Sequence, residues 1–375
     1  MDSEKTIYKN LQKHLNNQPV GFPATHSGIE IRLLKHFFTP EEAQLALCLN
    51  YKPTPMEQIY EKIDESRMSL SDMEKILDGM LKKGSVGHME RDGVRYFFTM
   101  PLVVGMYEGH LERLTPEFLR DFEKYTSHKT WGLDFLSTEV SQMRTIPIEK
   151  SISIEHHIAT YDQLTHLINE SDAIVINECI CRKTAAMKGN PCQKTSRVET
   201  CMALGDIAKN CIRIGIGREI SKEEALDIAR QNEADGLILQ PSNSQKAEFI
   251  CACCGCCCGM LSVYNLLPRP HEFWTTNYHA SVDSEICTGC KTCIERCQVH
   301  AIRMNEELGV ATIDIDRCIG CGICVSTCPS EALTLIKKDN PVVPPEDSET
   351  LYETIMNNKK GKLEKIKHAL RLLRK

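Results

Sequence analysis

Residues 287–297 read CTGCKTCIERC and residues 318–329 read CIGCGICVSTCP. The two runs space their cysteines alike: Cys287, Cys290, Cys293 and Cys297 in the first, and Cys318, Cys321, Cys324 and Cys328 in the second, where Pro329 follows. Two-residue gaps let a tight turn aim successive sulfurs at neighbouring corners of one inorganic cluster. The longer third gap turns the last cysteine outward. Zinc also accepts paired CxxC elements, but two complete four-cysteine runs in close succession suit it poorly. The spacing predicts two [4Fe–4S] clusters and a chain that carries electrons.

Apolar residues sit between these cysteines, among them Ile286, Ile294, Ile319, Ile323 and Val325, where they keep water from a cluster. Ala301 to Met304 and Ala311 to Ile315 alternate as two short strands, and Ala332 to Ile336 supplies a third after the second run. This duplicated layout resembles the bacterial dicluster ferredoxins. The resemblance implies that the fourth cysteine of each run crosses to the other run's cluster. Cluster one then takes Cys287, Cys290, Cys293 and Cys328, and cluster two takes Cys318, Cys321, Cys324 and Cys297. Gln298 departs from the pattern, because a typical first run has proline there; the local turn is expected to differ.

The chain has 375 residues, a formal net charge of −6 and 20 cysteines. That length allows two or three domains, each with its own core. Acidity argues against indiscriminate nucleic-acid binding. Met1 to Gln18 is polar and lacks the apolar core of an export signal, so the cysteines do not read as a disulfide framework. No twin-arginine signal is visible, and no apolar run approaches the roughly 20 residues that span a bilayer. The expectation is a cytoplasmic protein of a reducing, anaerobic cell.

A second cysteine-rich region precedes the ferredoxin-like one. Cys179, Cys181, Cys192 and Cys201 form its first segment, and Cys251, Cys253, Cys254, Cys256, Cys257 and Cys258 its second. Neighbouring thiolates repel strongly at low dielectric, so metal or cluster ligation is the economical reading. Redox-active thiols or a zinc site are the alternatives. Either one further cluster draws on both segments, or each segment holds its own. Cys211, in the apolar stretch Ala203 to Ile214, and Cys48 read as core thiols. Arg182 and Lys183 could favour a nearby thiolate, and a solvated surface explains them equally well. Gly215-x-Gly217 lacks the remainder of a dinucleotide fingerprint.

Upstream, Thr39-Pro40-Glu41-Glu42, Thr54-Pro55-Met56-Glu57 and Ser71-Asp72-Met73-Glu74 each read as a helix start. Val86 to Glu90 and Val94 to Phe98 flank Asp92-Gly93, a hairpin signal. Three helices and a hairpin resemble the winged-helix modules of bacterial regulators over residues 29 to 105. The exposed face mixes Asp72, Lys75, Asp78, Lys82 and Lys83, with Arg91 and Arg95 in the wing, so docking or a structural role is favoured over DNA contact. Thr115-Pro116-Glu117 starts another helix, and Trp131 to Met143 is amphipathic. Ile152 and Ile154 alternate in an extended connection, followed by a histidine pair, His156 and His157, that carries no metal assignment. Phe273, Trp274 and Tyr278 read as interdomain packing. After Pro341, Pro344 and Pro345, a basic helix carries the stripe Leu363, Ile366, Leu370 and Leu373, suited to an acidic partner, a membrane surface, or packing on its own chain.

The fold class is α+β: an N-terminal segment (1–28), a winged-helix-like domain (29–105), a helical connector (106–170), a central mixed α/β cysteine-rich domain (171–280), a dicluster ferredoxin-like domain (281–338), and a linker with the basic helix (339–375). The whole resembles a bacterial and archaeal family of winged-helix-fused 4Fe–4S proteins, carrying a CxCR segment (Cys179-Ile180-Cys181-Arg182) and a CCGCCCG run (residues 253–259). That resemblance implies iron–sulfur binding and electron transfer. The expected cofactors are two [4Fe–4S] clusters and one or two further iron–sulfur clusters. The expected partners are a low-potential electron donor and an acceptor oxidoreductase. Two alternatives accompany this reading. One is a catalytic oxidoreductase, since Cys-Cys-Gly resembles the motifs of heterodisulfide-reductase-type subunits. The other is a redox-sensing winged-helix regulator.

Overall fold

The computed structural model describes residues 2–63, 68–151 and 159–372. His156, His157, Ile152 and Ile154 lie outside the described residues. The chain forms two units, one of Met1–Glu139 with Asn210–Ile216 and Tyr352–Ala369, the other of Val140–Lys209 with Gly217–Leu351 and Leu370–Lys375. Helices and sheets both contribute substantially, which fits the α+β class.

The first unit begins with α1 (Asp2–Asn16), α2 (Ile29–Phe37), α3 (Pro40–Ala46), β1 (Thr54–Pro55) and α4 (Met56–Tyr60). It continues through α5 (Leu70–Lys82), β2 (Val86–Arg91), β3 (Val94–Thr99), α6 (Pro116–Thr126) and α7 (Lys129–Leu136). α3 starts with a full capping box: the Thr39 hydroxyl accepts from the Glu42 amide at 3.2 Å, and the Glu42 carboxylate accepts from the Thr39 amide at 2.8 Å. The other two expected starts are displaced. Thr54 pairs with Phe97 as β1, a tertiary demand that local sequence does not display, and α4 begins only at Met56. α5 is capped by Ser69 rather than Ser71, its hydroxyl accepting from the Asp72 amide at 3.1 Å. Its buried face is Met73, Leu77, Met80 and Leu81. Gly84 ends the helix at φ +66, pressed against the Gly109 backbone where a Cβ would lie 2.4 Å from Cα. The β2–β3 hairpin turns at Asp92 and Gly93, both at positive φ, as a two-residue primed turn requires. The sheet order is β1-β3-β2.

Aromatic packing holds α2 and α6 together. His110 is 2% exposed, stacks on Phe118 at 4.1 Å between centroids and meets Phe37 edge-on at 5.2 Å. Burial lowers its pKa to about 3, so the folded unit holds it neutral while an unfolded chain would protonate it below about 6.5. The unfolded state therefore binds more protons in that window, and stability falls as pH drops through it. Lowering pH from 7 to 5 should cost this core roughly 2 kcal/mol. Amide protection in α2 and α6, taken relative to the unfolded-chain rate at each pH, should fall accordingly in the parent chain and stay level in His110→Leu.

The second unit contains α8 (Leu164–Glu170), β4 (Ile174–Glu178), α9 (Ile180–Met187), β5 (Glu199–Leu204), the first half of α10 (Gly205–Ile214, whose residues from Asn210 belong to the first unit), β6 (Arg218–Glu219), α11 (Lys222–Ala234), β7 (Ile238–Pro241), β8 (Phe249–Cys253) and α12 (Gly259–Leu266). Five strands form an antiparallel sheet in the order β6-β4-β5-β8-β7. The stretch Ala203 to Ile214 is thus not one helix: Ala203 and Leu204 close β5, where Ala203 pairs with Phe249. Cys211 is half-exposed on α10 rather than in a core, and Cys48 is likewise half-exposed. The amphipathic stretch after Trp131 stays helical only to Leu136.

Then come β9 (Tyr278–Val282), α13 (Thr292–Arg296), β10 (Ile302–Asn305), β11 (Val310–Ile313) and β12 (Leu333–Lys337). β10 and β11 form a hairpin, while β12 pairs antiparallel with β9. Tyr278, read from sequence as packing, opens the strand that completes this symmetry. Beneath lies a buried ionic knot. Arg144 and Asp162, 1% and 2% exposed, are 3.4 Å apart. The guanidinium also donates to the carbonyls of Ser242, Ser244 and Tyr161. Asn277 donates to Asp162 at 3.0 Å and to the Val342 carbonyl at 3.0 Å.

The chain closes with α14 (Ser348–Asn357) and α15 (Lys362–Leu372). Leu363, Ile366 and Leu370 are 77%, 47% and 56% exposed, so the stripe does not pack on its own chain; Leu373 lies outside the described residues. Instead Lys360 and Lys365 reach back to Glu139 and Asp134. Among the described residues no helix is long and apolar enough to cross a membrane.

Candidate cluster and metal sites

Strand pairing positions the ferredoxin-like cysteines. Cys287, Cys290, Cys293 and Cys328 line one cavity, walled by Val282, Ala311 and Leu333 from β9, β11 and β12. Cys293 is influenced electrostatically by Cys287, Cys290 and Cys328. Around the second group, Cys321 and Cys324 respond to Cys318 and Cys297. Two sulfurs of this second group also receive backbone amides: the Ala280 amide donates to the Cys318 sulfur and the Ala301 amide to the Cys297 sulfur, each at 3.3 Å. Such amide–sulfur bonds stabilise thiolates and tune a cluster's potential. Burial pushes the Cys321 thiol up to about 12 and that of Cys324 well above its ordinary value, costs that a bound cation would offset. Cys290 is exposed, whereas Cys318 and Cys324 are buried. The residues present suit cubes in the crossed arrangement.

The middle cysteines fall into two groups, each of which draws on both sequence segments. Six of them close a ring in which each sulfur neighbours the next: Cys179, Cys181, Cys258, Cys253, Cys251, Cys201 and back to Cys179. The sheet explains how. Met202 pairs with Ile250, which sets Cys201 beside Cys251, and period-two alternation puts Cys253 on the same face as Cys251. Cys179 and Cys258 cap α9 and α12, so two helix N-termini face the ring. Thiols donated by their ring neighbours hold Cys179 and Cys258 well below the ordinary thiol value, with the amides of Arg182 and Leu261 adding to the effect.

The other four, Cys192, Cys254, Cys256 and Cys257, gather separately with all their sulfurs within 4.8 Å of one another. Each group therefore draws on both sequence segments. Of the two readings open for Arg182, the structure supports the electrostatic one. Arg182 is 3% exposed rather than solvated, donating to the Ala252 carbonyl at 2.8 Å and to Thr200. It also bonds Cys192 and feels the charge of Cys179, Cys254 and Cys201. One buried cation thus serves both sulfur groups, while Lys183 pairs with Glu178 at 2.8 Å.

Gln298, visible in sequence only as a missing proline, links the two cysteine-rich regions. Its side-chain oxygen accepts from the Gly255 amide at 2.6 Å, and its amide nitrogen donates to the Gly236 carbonyl. The Gln298 carbonyl accepts from Asn265 at 3.2 Å. Gly255 lies in the turn between β8 and α12, which supplies cysteines to both groups, and Gln298 follows Cys297 directly.

A sulfur-lined cavity and a second group of sulfurs, set beside two antiparallel strand pairs, are the features of a ferredoxin-type iron–sulfur domain. Residues 286–332 match the family model of the 4Fe-4S dicluster domain. No curated protein matches the chain. Iron–sulfur electron transfer is the activity this domain implies.

Proposed function

We propose that this chain is an iron–sulfur electron-transfer protein, taking single electrons from a low-potential donor and passing them to a partner oxidoreductase, or the reverse. Two [4Fe–4S] clusters sit on the crossed sets of ferredoxin cysteines, with Cys290 marking the solvent-facing entry. A further iron–sulfur cluster sits on the ring of six. The observation that carries this reading is the Gln298–Gly255 hydrogen bond, which leaves one non-covalent step between the segment of Cys297 and the turn that follows Cys253 and carries Cys254.

The order of helices and hairpin, with sheet order β1-β3-β2, supports a winged-helix module over residues 29 to 105. Protein docking suits it better than DNA. Arg95 pairs with Glu74 and Asp78, Lys83 with Glu42 and Lys75 with Asp72, so phosphates would find these cations already engaged. The exposed stripe of α15, flanked by Lys362 and Lys367, suits contact with an acidic partner or membrane surface. Cytoplasmic residence belongs to the same proposal. A catalytic oxidoreductase is the second reading, favoured by one observation: six ring sulfurs outnumber the four corners of a cube.

Anaerobic purification with iron and sulfide analysis and low-temperature paramagnetic resonance tests the cluster count. Iron and sulfide should both exceed the roughly eight per chain that two cubes supply. A total of about eight would remove the cluster from the ring. A chain without sulfide would remove the whole proposal.

A further inference from the structure

We infer that Cys192, Cys254, Cys256 and Cys257 form a tetrathiolate site for one divalent tetrahedral ion, Zn²⁺ or Fe²⁺, distinct from any iron–sulfur cluster. Spacing carries the argument. Cys192 lies 3.6 Å from Cys254 and 3.8 Å from Cys256, while Cys256 lies 3.6 Å from Cys254 and 3.7 Å from Cys257. Four sulfurs bound at about 2.3 Å to one ion in a regular tetrahedron are separated by about 3.8 Å. A cube places a separate iron beneath each cysteine, so two ligands are separated by two iron–sulfur bonds and an iron–iron edge. Sulfurs that nearly touch cannot each reach a different corner. Nor are they disulfides, whose sulfurs sit about 2.05 Å apart. Among the described residues no other group of ligand atoms meets the same closeness, the ferredoxin cysteines included.

Local chemistry agrees. Cys254 and Cys257 make the two-residue knuckle common in tetrahedral metal sites, with Cys256 inside the same turn and Cys192 arriving from the loop after α9. Four thiolates around a divalent ion leave two negative charges. The buried Arg182 guanidinium and the amides of Lys194 and Thr195 face Cys192 to meet them. The ion fastens that loop to the turn which also presents Cys253 and Cys258 to the ring. It is a clasp holding the ring in shape.

The test uses the full chain, purified anaerobically, and its Cys256→Ser/Cys257→Ser double variant. The parent should hold about one equivalent of zinc, or of iron not matched by sulfide. The variant should lose it while keeping the resonance signals of the ferredoxin clusters. Zinc-edge absorption on the parent should show four sulfur neighbours at about 2.3 Å and no metal neighbour. For iron, the oxidised protein should give the high-spin ferric signal of an isolated tetrathiolate. These parent measurements stand even if the variant fails to fold. A metal neighbour at this site, or a parent with neither zinc nor sulfide-free iron, overturns the inference. A chain with both Cys290 and Cys321 replaced should retain the ion, so failure here and failure of the electron-transfer reading are separate outcomes.

Discussion

A chain carrying Cys321→Ala passes electrons to an acceptor at least about 100-fold more slowly than its parent and loses sulfide in step with iron. The expectation follows from where the thiol sits. Ile319 and Ile323, 1% and 2% exposed, shield the second group of sulfurs, and Cys321 is the member whose thiol burial drives up to about 12. Without a bound cation such a thiol stays protonated, so the pocket favours its own metallated form. Removing the sulfur leaves three ligands around a cluster that needs a fourth, in a space too apolar for water to replace it. Replacing Cys211, which is half-exposed on α10, should leave both iron content and transfer rate unchanged. Reduction of the chain by a viologen dye, followed by transfer to an acceptor, reads the rate directly. An undiminished rate in the Cys321 variant would count against the electron-carrying role of this module.

Arg144→Ala should destabilise the second unit by roughly 3–5 kcal/mol, an effect large enough to threaten folding. Its guanidinium has no route to water at 1% exposure, and its partners come from scattered segments: Tyr161, Asp162, Ser242 and Ser244. Truncation leaves three carbonyls without this donor and a buried carboxylate without its cation. Burial already raises the pKa of Asp162, and the loss of Arg144 would raise it further. Adding Asp162→Asn should recover part of the loss, because the remaining buried group is then neutral and still accepts from Asn277. Denaturant midpoints of the single and double variants measure both effects. A single variant within 1 kcal/mol of the parent would mean that the knot carries little of the unit's stability.

The ferredoxin region was legible because its ligand spacing is short-range: a few residues fix each turn, and the strands alternate beside it. The middle region was legible only in composition. Period and spacing along the chain cannot show that Cys201 faces Cys251, since that neighbourhood is created by β5 pairing with β8 some 50 residues away. Division of the ten thiols into six and four follows from that pairing together with two helix starts. Ser69 and Thr54 mark a subtler limit. Both Ser69 and Ser71 satisfy the rules for a cap, and packing of the helix decides between them; Thr54 has the right neighbours for a cap and serves a strand. Arg182 stayed open between two readings for the same reason: a cation beside CxC suits a thiolate or a surface equally until the sheet closes over it.

The first unit is not encoded in one piece. Its final segment, Tyr352–Ala369, follows the ferredoxin cysteines in the chain, and within it Lys359 donates to the Asn16 carbonyl at 2.7 Å. On a ribosome, every sulfur of both cysteine-rich regions has therefore been synthesised before the N-terminal helices can receive their last neighbour. A nascent polypeptide cannot finish the module at its front until the metal-binding stretches behind it have emerged.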